Sequence, residues 1–431
     1  MTRVREFRHG GVAVDHRVPY RPASIENAFL PMNAIVVLKD AKVSIEPLPV
    51  VSVGQEVREG QLLARSTGKG SANVHSPIPG IVRRIETVTT PGGYQSRVIV
   101  ISLAGSFSML GKRSERYLWK SLNKADIAHI IQEKGIVCVS SGRPLHDVMT
   151  EHVDHPGSIM VISALEMDPY RRTEEALMEQ RTEDVVDGWA IAARVALPSR
   201  VIVALDEGVS PEVLQKLTSI MAASELEASI ELFRRRFPQD MRGQIANALG
   251  MEQTGQLFVL EPSTLVALHD AVVSNKPHIE QYVYVGGGAI KHPGILKARI
   301  GAPIGDLIEE CGGFLGQPAR LVIGGPFRGR LAADLDVSVT RSTRAVLALT
   351  AAETRSAPER ACVRCGDCVV ACPEGLDPFL LLKLLRAGRR DDAVAIGLER
   401  CSSCGACAYV CRSRIPLAHI FDTAREGGQV K

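Results

Sequence analysis

The sequence predicts a multi-domain α+β protein that ends in a helical, cysteine-rich domain, and three observations support this fold class. The chain has 431 residues, which is more than one domain usually contains. The spacing of its apolar residues changes along the chain, from short β-type runs to alternating strands and helices and then back to β-type runs. Eight of its ten cysteines lie after residue 361.

The composition is typical of a globular protein that binds no nucleic acid and does not span a membrane. Hydrophobic residues make up 45% of the chain and charged residues 23%, and the formal net charge is +3, with no long basic tract. No stretch approaches about 18 uncharged apolar residues, and the first eight residues contain no apolar signal segment. We therefore expect a cytoplasmic protein.

Residues 1–30 are polar and aperiodic and predict an extended arm, whereas residues 31–105 predict a β domain. In the second segment, short apolar runs alternate with Gly and Pro. Its motifs at residues 53–63 and 76–82 resemble the paired halves of the barrel-sandwich fold of lipoyl and biotinyl carrier domains. Lys69 lies where such carriers place a modified lysine, but its glycine neighbours favour an ordinary solvated loop.

The next segments predict an α/β domain and a second β domain. Helix-like and strand-like stretches alternate over residues 125–275, which is typical of a parallel, Rossmann-like sheet. These stretches are residues 125–133, 136–139, 158–164, 173–195, 201–205 and 211–222. Residues 279–350 return to β-type runs, in which the glycines at 286–288 predict a hairpin turn. Residues 355–431 predict a helical domain that carries the cysteines.

The eight clustered cysteines predict two [4Fe–4S] clusters. Tight clustering in a chain without an export signal indicates metal ligation rather than disulfides. Residues 362–372 and 401–411 both have the C-x2-C-x2-C-x3-C spacing of bacterial ferredoxins, in which the fourth cysteine binds the other cluster. A zinc site would need four ligands in two pairs rather than two quartets. The predicted ligands are Cys362, Cys365, Cys368 and Cys411 for one cluster, and Cys401, Cys404, Cys407 and Cys372 for the other.

Helix signals between and after the two runs predict the helical type of two-cluster ferredoxin. Asp377 is a suitable N-cap, Pro378 suits the first helical position and Gly388 can end that helix. A second helix is expected to begin at 391 or 392, and a third to extend from 417 to 427. Five nearby arginines either raise the reduction potential of the clusters or are ordinary solvated side chains. They are Arg360, Arg364, Arg400, Arg412 and Arg414.

Motifs at residues 7–12, 75–77, 294–296, 299–303, 324–329, 359–362 and 372–376 carry a family resemblance that spans nearly the whole chain. Together they resemble the C subunit of the Rnf-type electron-transport complex. Relatives of that family include the cobalamin-reductase subunit of propanediol-utilising microcompartments and the A subunit of the sodium-pumping NADH:quinone reductase. The resemblance implies that residues 279–350 form a β-grasp domain of the soluble-ligand-binding (SLBB) type.

The resemblance also implies an FMN and NADH site on the α/β domain, and each of its three motifs is altered in this chain. A loop ending in Gly-Ala-Gly-Phe-Pro is replaced at residues 138–145, Glu-Cys-Glu-Pro-Tyr survives in part at 166–170, and Tyr-Pro-x-Gly-Gly-Glu loses both glycines and the acid at 237–242. Glycines there would let the backbone approach flavin and phosphate closely. We therefore expect neither FMN binding nor NADH oxidation. The residues that remain at this degenerate site are Gly142, Glu166 and Asp168.

These features predict an electron-transfer subunit of a larger redox complex, which relays electrons through two [4Fe–4S] clusters and has no NADH or FMN active site of its own. Two alternatives stay open: an FMN-dependent NADH dehydrogenase subunit of the Rnf or cobalamin-reductase type, and a scaffold whose clusters are structural. The expected partners are other subunits of the complex, including membrane-embedded ones, or a small electron carrier. The expected location is cytoplasmic, with or without peripheral attachment to the cytoplasmic face of the inner membrane.

Overall fold

The computed structural model describes residues 4–14, 24–42, 44–105, 118–153, 155, 157–223, 228–251, 254–354 and 358–428. Residues 1–3 and 15–23 of the predicted arm, and residues 355–357 and 429–431 of the predicted cysteine-rich domain, lie outside these ranges. None of the described helices is long and apolar enough to cross a membrane.

The N-terminal segment, predicted as an arm, contributes an edge strand to each of two later sheets. Strand β1 (Val4–Arg5) pairs in parallel with residues 232–233, and β2 (Ile25–Asn27) pairs in parallel with residues 295–297. Edge strands are held through backbone hydrogen bonds, so that short ones need no regular alternation of side chains. The described parts of this segment therefore belong to the folded body although their sequence carries no periodic pattern.

Two small antiparallel sheets follow and pack against each other, as expected for a barrel sandwich. Their strands are β3 (Asn33–Val37), β4 (Leu48–Pro49), β5 (Glu56–Val57), β6 (Leu62–Arg65), β7 (Val74–His75), β8 (Gly80–Thr89) and β9 (Gln95–Leu103). One sheet has the order β3-β9-β8-β5 and the other β4-β6-β7. Leu63, Val82 and Ile99 are fully buried in the core of this domain.

The α/β domain is a parallel sheet covered by helices on both faces. Its elements are α1 (Lys124–Glu133), α2 (Leu145–Val153), β10 (Ile159–Ser163), α3 (Thr173–Gln180), α4 (Thr182–Ala196), β11 (Arg200–Asp206), α5 (Pro211–Ala223), β12 (Ala228–Phe233), α6 (Arg242–Ala248), β13 (Leu257–Leu260) and α7 (Pro262–Val273). The strand order is β1-β12-β11-β10-β13. The chain order therefore reverses at β10, which is the place where ligands bind in many open α/β sheets.

Two predicted elements of this domain differ in the structure. Residues 136–139 were expected to be a strand but form only an isolated bridge between Val137 and Pro144. They lie outside the sheet because side chains take the place of a pairing strand: the Val137 N–H donates to Nδ1 of His278, and the Val139 N–H donates to Thr264 Oγ1. The helix expected over 173–195 is divided, since Arg181 between α3 and α4 leaves the helical region with φ −124°.

The second β domain is a mixed six-stranded sheet with the order β17-β16-β18-β14-β15-β2. Its further elements are β14 (Glu280–Gly286), β15 (Gly294–Arg299), α8 (Ile304–Glu310), β16 (Arg320–Ile323), β17 (Arg330–Leu331), β18 (Ala345–Leu349) and α9 (Ala351–Thr354). Strands β14 and β15 form an antiparallel hairpin, which confirms the turn predicted after Gly286. Leu307 and Ile308 of α8 are buried against this sheet.

The cysteine-rich domain is helical, as predicted. It contains α10 (Asp367–Val370), α11 (Pro378–Arg386), α12 (Arg390–Ala395), α13 (Ala406–Tyr409) and α14 (Leu417–Arg425). The Asp377 side chain accepts the N–H of Leu380 at 2.9 Å, and Gly388 adopts φ +71° after α11. The predicted cap and stop of this helix are therefore confirmed. Helix α12 begins at Arg390, one residue before the earlier of its two predicted starts.

One arginine of the SLBB-type segment joins the three domains that precede the cysteine runs. The guanidinium of Arg341 donates to the carboxylate of Asp40 and to the carbonyl oxygens of Asn73, at 2.7 Å, and Gly135, at 3.0 Å. Asp40 and Asn73 belong to the barrel sandwich and Gly135 to the α/β domain. Because both charged groups are buried, removal of either would leave an uncompensated charge.

Candidate functional site

The two cysteine runs follow the same backbone path. Arg364 and Ser403, two residues after the first cysteine of each run, have φ of 55° and 53°. Gly366 and Gly405, directly after the second cysteine, have φ of 80° and 86° and precede α10 and α13. The cysteine-rich domain therefore consists of two related halves.

The fold twice brings together three cysteines of one run and the fourth cysteine of the other. Around one cavity of about 230 Å³ lie the cysteines that we call the first cysteine set, namely Cys362, Cys365, Cys368 and Cys411. Around a smaller cavity lies the second cysteine set, namely Cys372, Cys401, Cys404 and Cys407. This grouping is the same as the predicted crossed arrangement.

The backbone near both sets donates hydrogen bonds to cysteine sulfur atoms. Backbone N–H groups of Arg364, Leu376 and Ile415 donate to the sulfur atoms of cysteines 362, 372 and 411, each at 3.4 Å. Such bonds are typical of thiolates that bind iron–sulfur clusters. Among the described residues, no three His, Cys, Asp or Glu side chains converge closely enough to bind one ion. The cysteines of the first set instead line a cavity of about 230 Å³.

The two sets differ in exposure. Cys362 and Cys365 of the first set are exposed, whereas Cys372, Cys404 and Cys407 of the second set are buried. Burial raises the pKa of the Cys404 thiol to about 11 and also raises the pKa of Cys407. Without a nearby positive charge these thiols therefore stay protonated at neutral pH.

Arg425, in the last turn of α14, contacts the second set and was missed by the sequence analysis. Its guanidinium donates to the carbonyl oxygen of Cys401 and to Ser403 Oγ, both at 2.9 Å. The sequence signal for it was weak, since a basic residue in the last turn of a helix is common without any site. Of the predicted arginines, Arg412 forms an ion pair with Asp367 at 2.7 Å near the first set.

The N-terminal segment packs against the fourth cysteine of the first run. Gly10 has φ +71°, and a Cβ there would lie 2.3 Å from the carbonyl oxygen of Cys372. The N–H of Gly11 donates to the carbonyl oxygen of Ala371 at 2.9 Å. Two consecutive glycines are therefore required where this segment passes the cysteine run.

An aromatic contact links the second set to the rest of the molecule. The ring of Phe327 stacks on Phe237 of the α/β domain, with centroids 4.4 Å apart, and contacts Tyr409 of α13, with centroids 5.0 Å apart. A Cβ at Gly405 would lie 3.3 Å from the carbonyl oxygen of Phe327. The second set thus faces the α/β domain and the glycine-rich loop at 324–329.

Glu166, a residue of the degenerate flavin site, is engaged within the protein. Its buried carboxylate accepts the backbone N–H groups of Thr173, Glu174 and Glu175 at 3.1, 2.9 and 3.2 Å. It thereby caps the N-terminus of α3, where the positive end of the helix dipole favours an anion. Burial nevertheless raises the pKa of this carboxyl.

Asp168 belongs to a buried ionic network that joins the second and third altered motifs. Its carboxylate accepts the N–H groups of Phe327 and Arg328, both at 3.3 Å, and burial raises its pKa. Arg328 also pairs with Asp240. Asp240 in turn accepts a hydrogen bond from Nη1 of Arg171 at 3.3 Å. These two arginines hold the pKa of Asp240 below its ordinary value, although burial alone would raise that pKa. The acids and arginines at this end of the sheet thus bind mainly one another.

Gly142 and its loop are covered by the barrel sandwich. A Cβ at Gly142 would lie 2.9 Å from the Cβ of Ala41. The Gly142 carbonyl oxygen accepts a hydrogen bond from the Ser44 hydroxyl at 3.1 Å. In the same loop Arg143 makes two hydrogen bonds to Glu151, at 2.7 and 2.8 Å. The exposed Lys69 lies 3.2 Å from the same carboxylate. The site residues predicted from the altered motifs are therefore divided: Glu166 and Asp168 lie in neighbouring buried networks, and Gly142 lies elsewhere, against the barrel sandwich.

Three family profiles match the chain in order. They are the RnfC barrel sandwich hybrid domain at residues 6–106, the SLBB domain at 282–330 and the 4Fe-4S dicluster domain at 361–415. The predicted fold class, with barrel-sandwich, α/β, SLBB and dicluster parts, is confirmed. One chain of an NAD+-reducing [NiFe]-hydrogenase overlaps with 71% of this chain and 61% of its own, at 15% identity and a TM-score of 0.48.

Two relatives are similar to this chain over most of its length. The C subunit of the ion-translocating oxidoreductase complex of Rhodobacter capsulatus is 30% identical over 408 residues, which cover 92% of this chain and 78% of the relative. The C subunit of the proton-translocating ferredoxin:NAD(+) oxidoreductase complex of Clostridium ljungdahlii is 27% identical over 388 residues, which cover 88% of this chain and 84% of the relative. On this similarity, and in agreement with the motifs along its sequence, the chain belongs to the family of the C subunits of ion-translocating oxidoreductase complexes.

Proposed function

We propose that this chain is an electron-relay subunit of a larger redox complex and binds two [4Fe–4S] clusters through the first and second cysteine sets. The observation that carries the proposal is the crossed grouping of eight thiols around two neighbouring cavities. A [4Fe–4S] cluster, when bound, accepts and releases single electrons at a potential that its surroundings set. Because each run supplies one ligand to the other set, the proposed ligation would tie the two centres closely together.

The surroundings of each set suggest what the protein contributes to such a relay. Backbone N–H groups that donate to the cysteine sulfurs stabilise negative charge there, and Arg425 adds a cation beside Cys401. Buried surroundings at the second set exclude water, while the exposed Cys362 and Cys365 leave the first set accessible. This asymmetry supports a relay with one end at the surface and the other inside the molecule.

We further propose that the partners are other subunits of an ion-translocating complex and that the chain attaches peripherally at the cytoplasmic face of a membrane. The support is the family to which the chain belongs, whose members are named as subunits of ion-translocating complexes. The described helices include none that could cross a membrane by itself. Isolation of the chain from its source cells without any co-purifying protein would contradict this part of the proposal.

The proposed relay has no flavin or NADH site of its own. Glu166, Asp168 and Arg143 all have partners within the protein. One observation favours the alternative of a flavin-dependent NADH dehydrogenase. The second cysteine set faces the α/β domain across Phe327, so that a flavin bound to that domain would lie on the side of the second set. Flavin absorbance of the purified protein therefore separates the two functions.

Anaerobic purification followed by metal analysis and reduction tests the relay. We expect about eight irons and about eight acid-labile sulfides per chain, together with EPR signals that appear on reduction with dithionite. Four irons, or zinc in their place, would contradict the two-cluster proposal. Clusters that are present but resist dithionite would favour the scaffold alternative instead.

A further inference from the structure

A cavity of about 390 Å³ lies between the barrel sandwich and the SLBB-type domain. Its floor is the outer face of the sheet that contains β3 and β9. Residues of a strand alternate between the two faces of a sheet, and Val36 and Ile99 point inward, where they are fully buried in the core of the barrel sandwich. The outward-facing positions beside them are also apolar and line the cavity, namely Ile35, Val37, Val98 and Val100. Because the solvated face of an antiparallel sheet normally carries polar residues, this face has the composition of a covered one.

The opposite wall of the cavity belongs to the SLBB-type domain and is fixed to the barrel sandwich. The hydroxyl of Ser338 donates to the carbonyl oxygen of Ile35 at 2.7 Å. The hydroxyl of Ser342 donates to the carbonyl oxygen of Asp40 at 3.3 Å, and the Asp40 carboxylate forms the buried pair with Arg341. These contacts hold the two walls in place, so the cavity is preformed. A preformed cavity of this volume with an apolar floor is typical of a small-molecule site.

The rim of the cavity carries more negative than positive charge. Arg84 and Glu86 lie 3.6 Å apart and largely neutralise each other. The remaining exposed charges around the cavity are those of two aspartates, Asp334 and Asp336, and one arginine, Arg330. The Asp334 carboxylate accepts the N–H of Asp336 at 2.9 Å, which keeps both acids together in one turn. The rim therefore has an excess of negative charge.

The excess negative charge lies at the Asp336 end of the cavity. Burial and two neighbouring acids, one of which is Asp336, raise the pKa of Asp306. The surroundings of Asp336 are therefore acidic. The charge of Arg330 is shared with an acid outside the cavity, since Lys42 and Arg330 lower the pKa of Glu426. A positively charged group of a ligand would thus gain most beside Asp336.

We propose that this cavity binds a small amphipathic amine. The apolar body of the ligand lies on the floor formed by β3 and β9, and its ammonium group lies beside Asp336. Burial of the apolar body supplies the affinity, and the charge of Asp336 selects a cation over a neutral or an anionic molecule. The cavity shares no lining residue with either cysteine set. The inference therefore goes beyond the relay function proposed above and does not depend on it.

Isothermal titration calorimetry of the cluster-loaded chain with three matched probes tests the proposal. Phenylbutylamine, phenylbutanol and phenylbutyrate have the same apolar body and, at neutral pH, carry a positive charge, no charge and a negative charge. We expect one phenylbutylamine per chain, bound about tenfold more tightly than phenylbutanol. Phenylbutyrate should bind more weakly than either. Equal affinities for the three probes, or no binding of phenylbutylamine at about 1 mM, would overturn the proposal.

Two variants test the floor and the acid separately. Val37 is half-buried in the floor, so Val37→Trp fills the cavity and should abolish binding of all three probes. Asp336→Asn should reduce the affinity for phenylbutylamine to that for phenylbutanol and leave phenylbutanol binding unchanged. The matched controls are Val53→Trp, at a valine of the barrel sandwich that is 61% exposed, and Asp391→Asn, at an exposed aspartate of α12. Both controls should bind the probes as the wild type does.

Circular dichroism and thermal unfolding establish that each variant is folded before it is titrated. If folded Val37→Trp binds phenylbutylamine as tightly as the wild type, the amine binds elsewhere and the proposed site is wrong. If Asp336→Asn keeps the full preference for phenylbutylamine over phenylbutanol, the ammonium group does not lie beside Asp336 and the proposal is overturned. Should Val37→Trp fail to fold, Asp336→Asn alone still decides between these results.

Discussion

At the scale of single residues, Cys372 is held from two sides. Its sulfur accepts the N–H of Leu376 at 3.4 Å, and its carbonyl oxygen lies under Gly10 of the N-terminal segment. It lies in the first run but lines the second cavity. The position of this one cysteine therefore depends on the N-terminal segment as well as on its own run.

Replacement of Cys372 by serine tests the crossed ligation. Because a serine hydroxyl is a poorer iron ligand than a thiolate, we expect the EPR signal of the cluster at the second set to change or disappear. The signal of the first set should persist. Cys411→Ser is the reciprocal control and should affect only the first set, with Cys365→Ser and Cys404→Ser as references for the assignment. A Cys372→Ser protein in which only the first set changes would show that the ligands do not cross.

Gly10→Ala tests the contact between the N-terminal segment and the same cysteine. The added methyl group would lie 2.3 Å from the Cys372 carbonyl oxygen, so that the segment or the cysteine must move. We expect a shifted reduction potential or EPR signal for the second set and an unchanged first set. Gly93→Ala is the matched control: Gly93 has a similar φ of +75°, but a Cβ there meets no described atom within 4 Å. Equal effects of the two variants would show that backbone strain, rather than the contact, is responsible.

The residues of the candidate site were predictable to different degrees. The spacing of the cysteines was sufficient to group all eight, because it follows from how one run wraps a cluster. The left-handed conformations of Arg364, Ser403 and Arg414 were not predictable, since residues other than glycine seldom adopt positive φ. Arg425 was missed because its contact with Cys401 depends on how α14 packs, which sequence spacing does not specify.

At the scale of elements, the junction around Arg341 also encloses two buried histidines. His75 ends β7, and His278 lies just before β14. Burial, aided by the charge of Arg341, lowers the pKa of each to about 3. Both histidines are therefore neutral in the folded protein throughout the range in which an unfolded chain would protonate them.

This junction predicts a loss of stability in mild acid. Between pH 6.5 and about 3 the unfolded chain binds more protons at these two positions than the folded one, so stability is present above about pH 6.5 and is lost as the pH falls. Each histidine should remove about 2 kcal/mol between pH 7 and 5. Urea unfolding at both pH values, followed by tryptophan fluorescence, measures the loss.

The variant His278→Gln should show a smaller loss between the two pH values than the wild type, because glutamine does not titrate. His129→Gln, at an exposed histidine of α1, is the control and should keep the full pH dependence. A wild-type protein whose urea midpoint is the same at pH 7 and 5 would contradict the assignment of these histidines as neutral and buried.

Whole elements were predictable where local signals decide them. The N-cap Asp377 and the stop at Gly388 specify α11 through interactions within a few residues, and the structure has both. Strands β1 and β2 were not predictable because their partner strands lie more than 200 residues away in the sequence. Residues 136–139 have a strand-like composition, but their buried N–H groups find side-chain acceptors instead.

At the scale of the whole molecule, the two cysteine sets lie in different environments. The first set opens to solvent, and the second faces the α/β domain through Phe327. At the carboxyl end of that domain's sheet, Arg328 pairs with both Asp168 and Asp240, and Asp240 also accepts a hydrogen bond from Arg171. An anionic cofactor there would have to displace one of these carboxylates from its buried arginine, and breaking such a pair costs about 3–5 kcal/mol.

The last prediction is that the isolated chain binds neither FMN nor NADH tightly. A flavin phosphate needs backbone N–H groups at a glycine-rich turn or a helix N-terminus. The N-terminus of α3 is already occupied by Glu166, and Arg143, the cation of the altered loop, is bound to Glu151. Titration of the chain with FMN, followed by flavin fluorescence, should therefore show no saturation at concentrations on the order of 1–10 μM, and NADH should leave the visible absorbance of the clusters unchanged.

The variant Arg143→Ala tests whether Arg143 can hold a flavin phosphate. If the wild-type chain binds FMN and this variant does not, Arg143 binds the phosphate. Stoichiometric FMN binding, or reduction of the clusters by NADH, would contradict the prediction and favour the NADH dehydrogenase, since a carboxylate that releases its arginine for a cofactor would then be part of an active site.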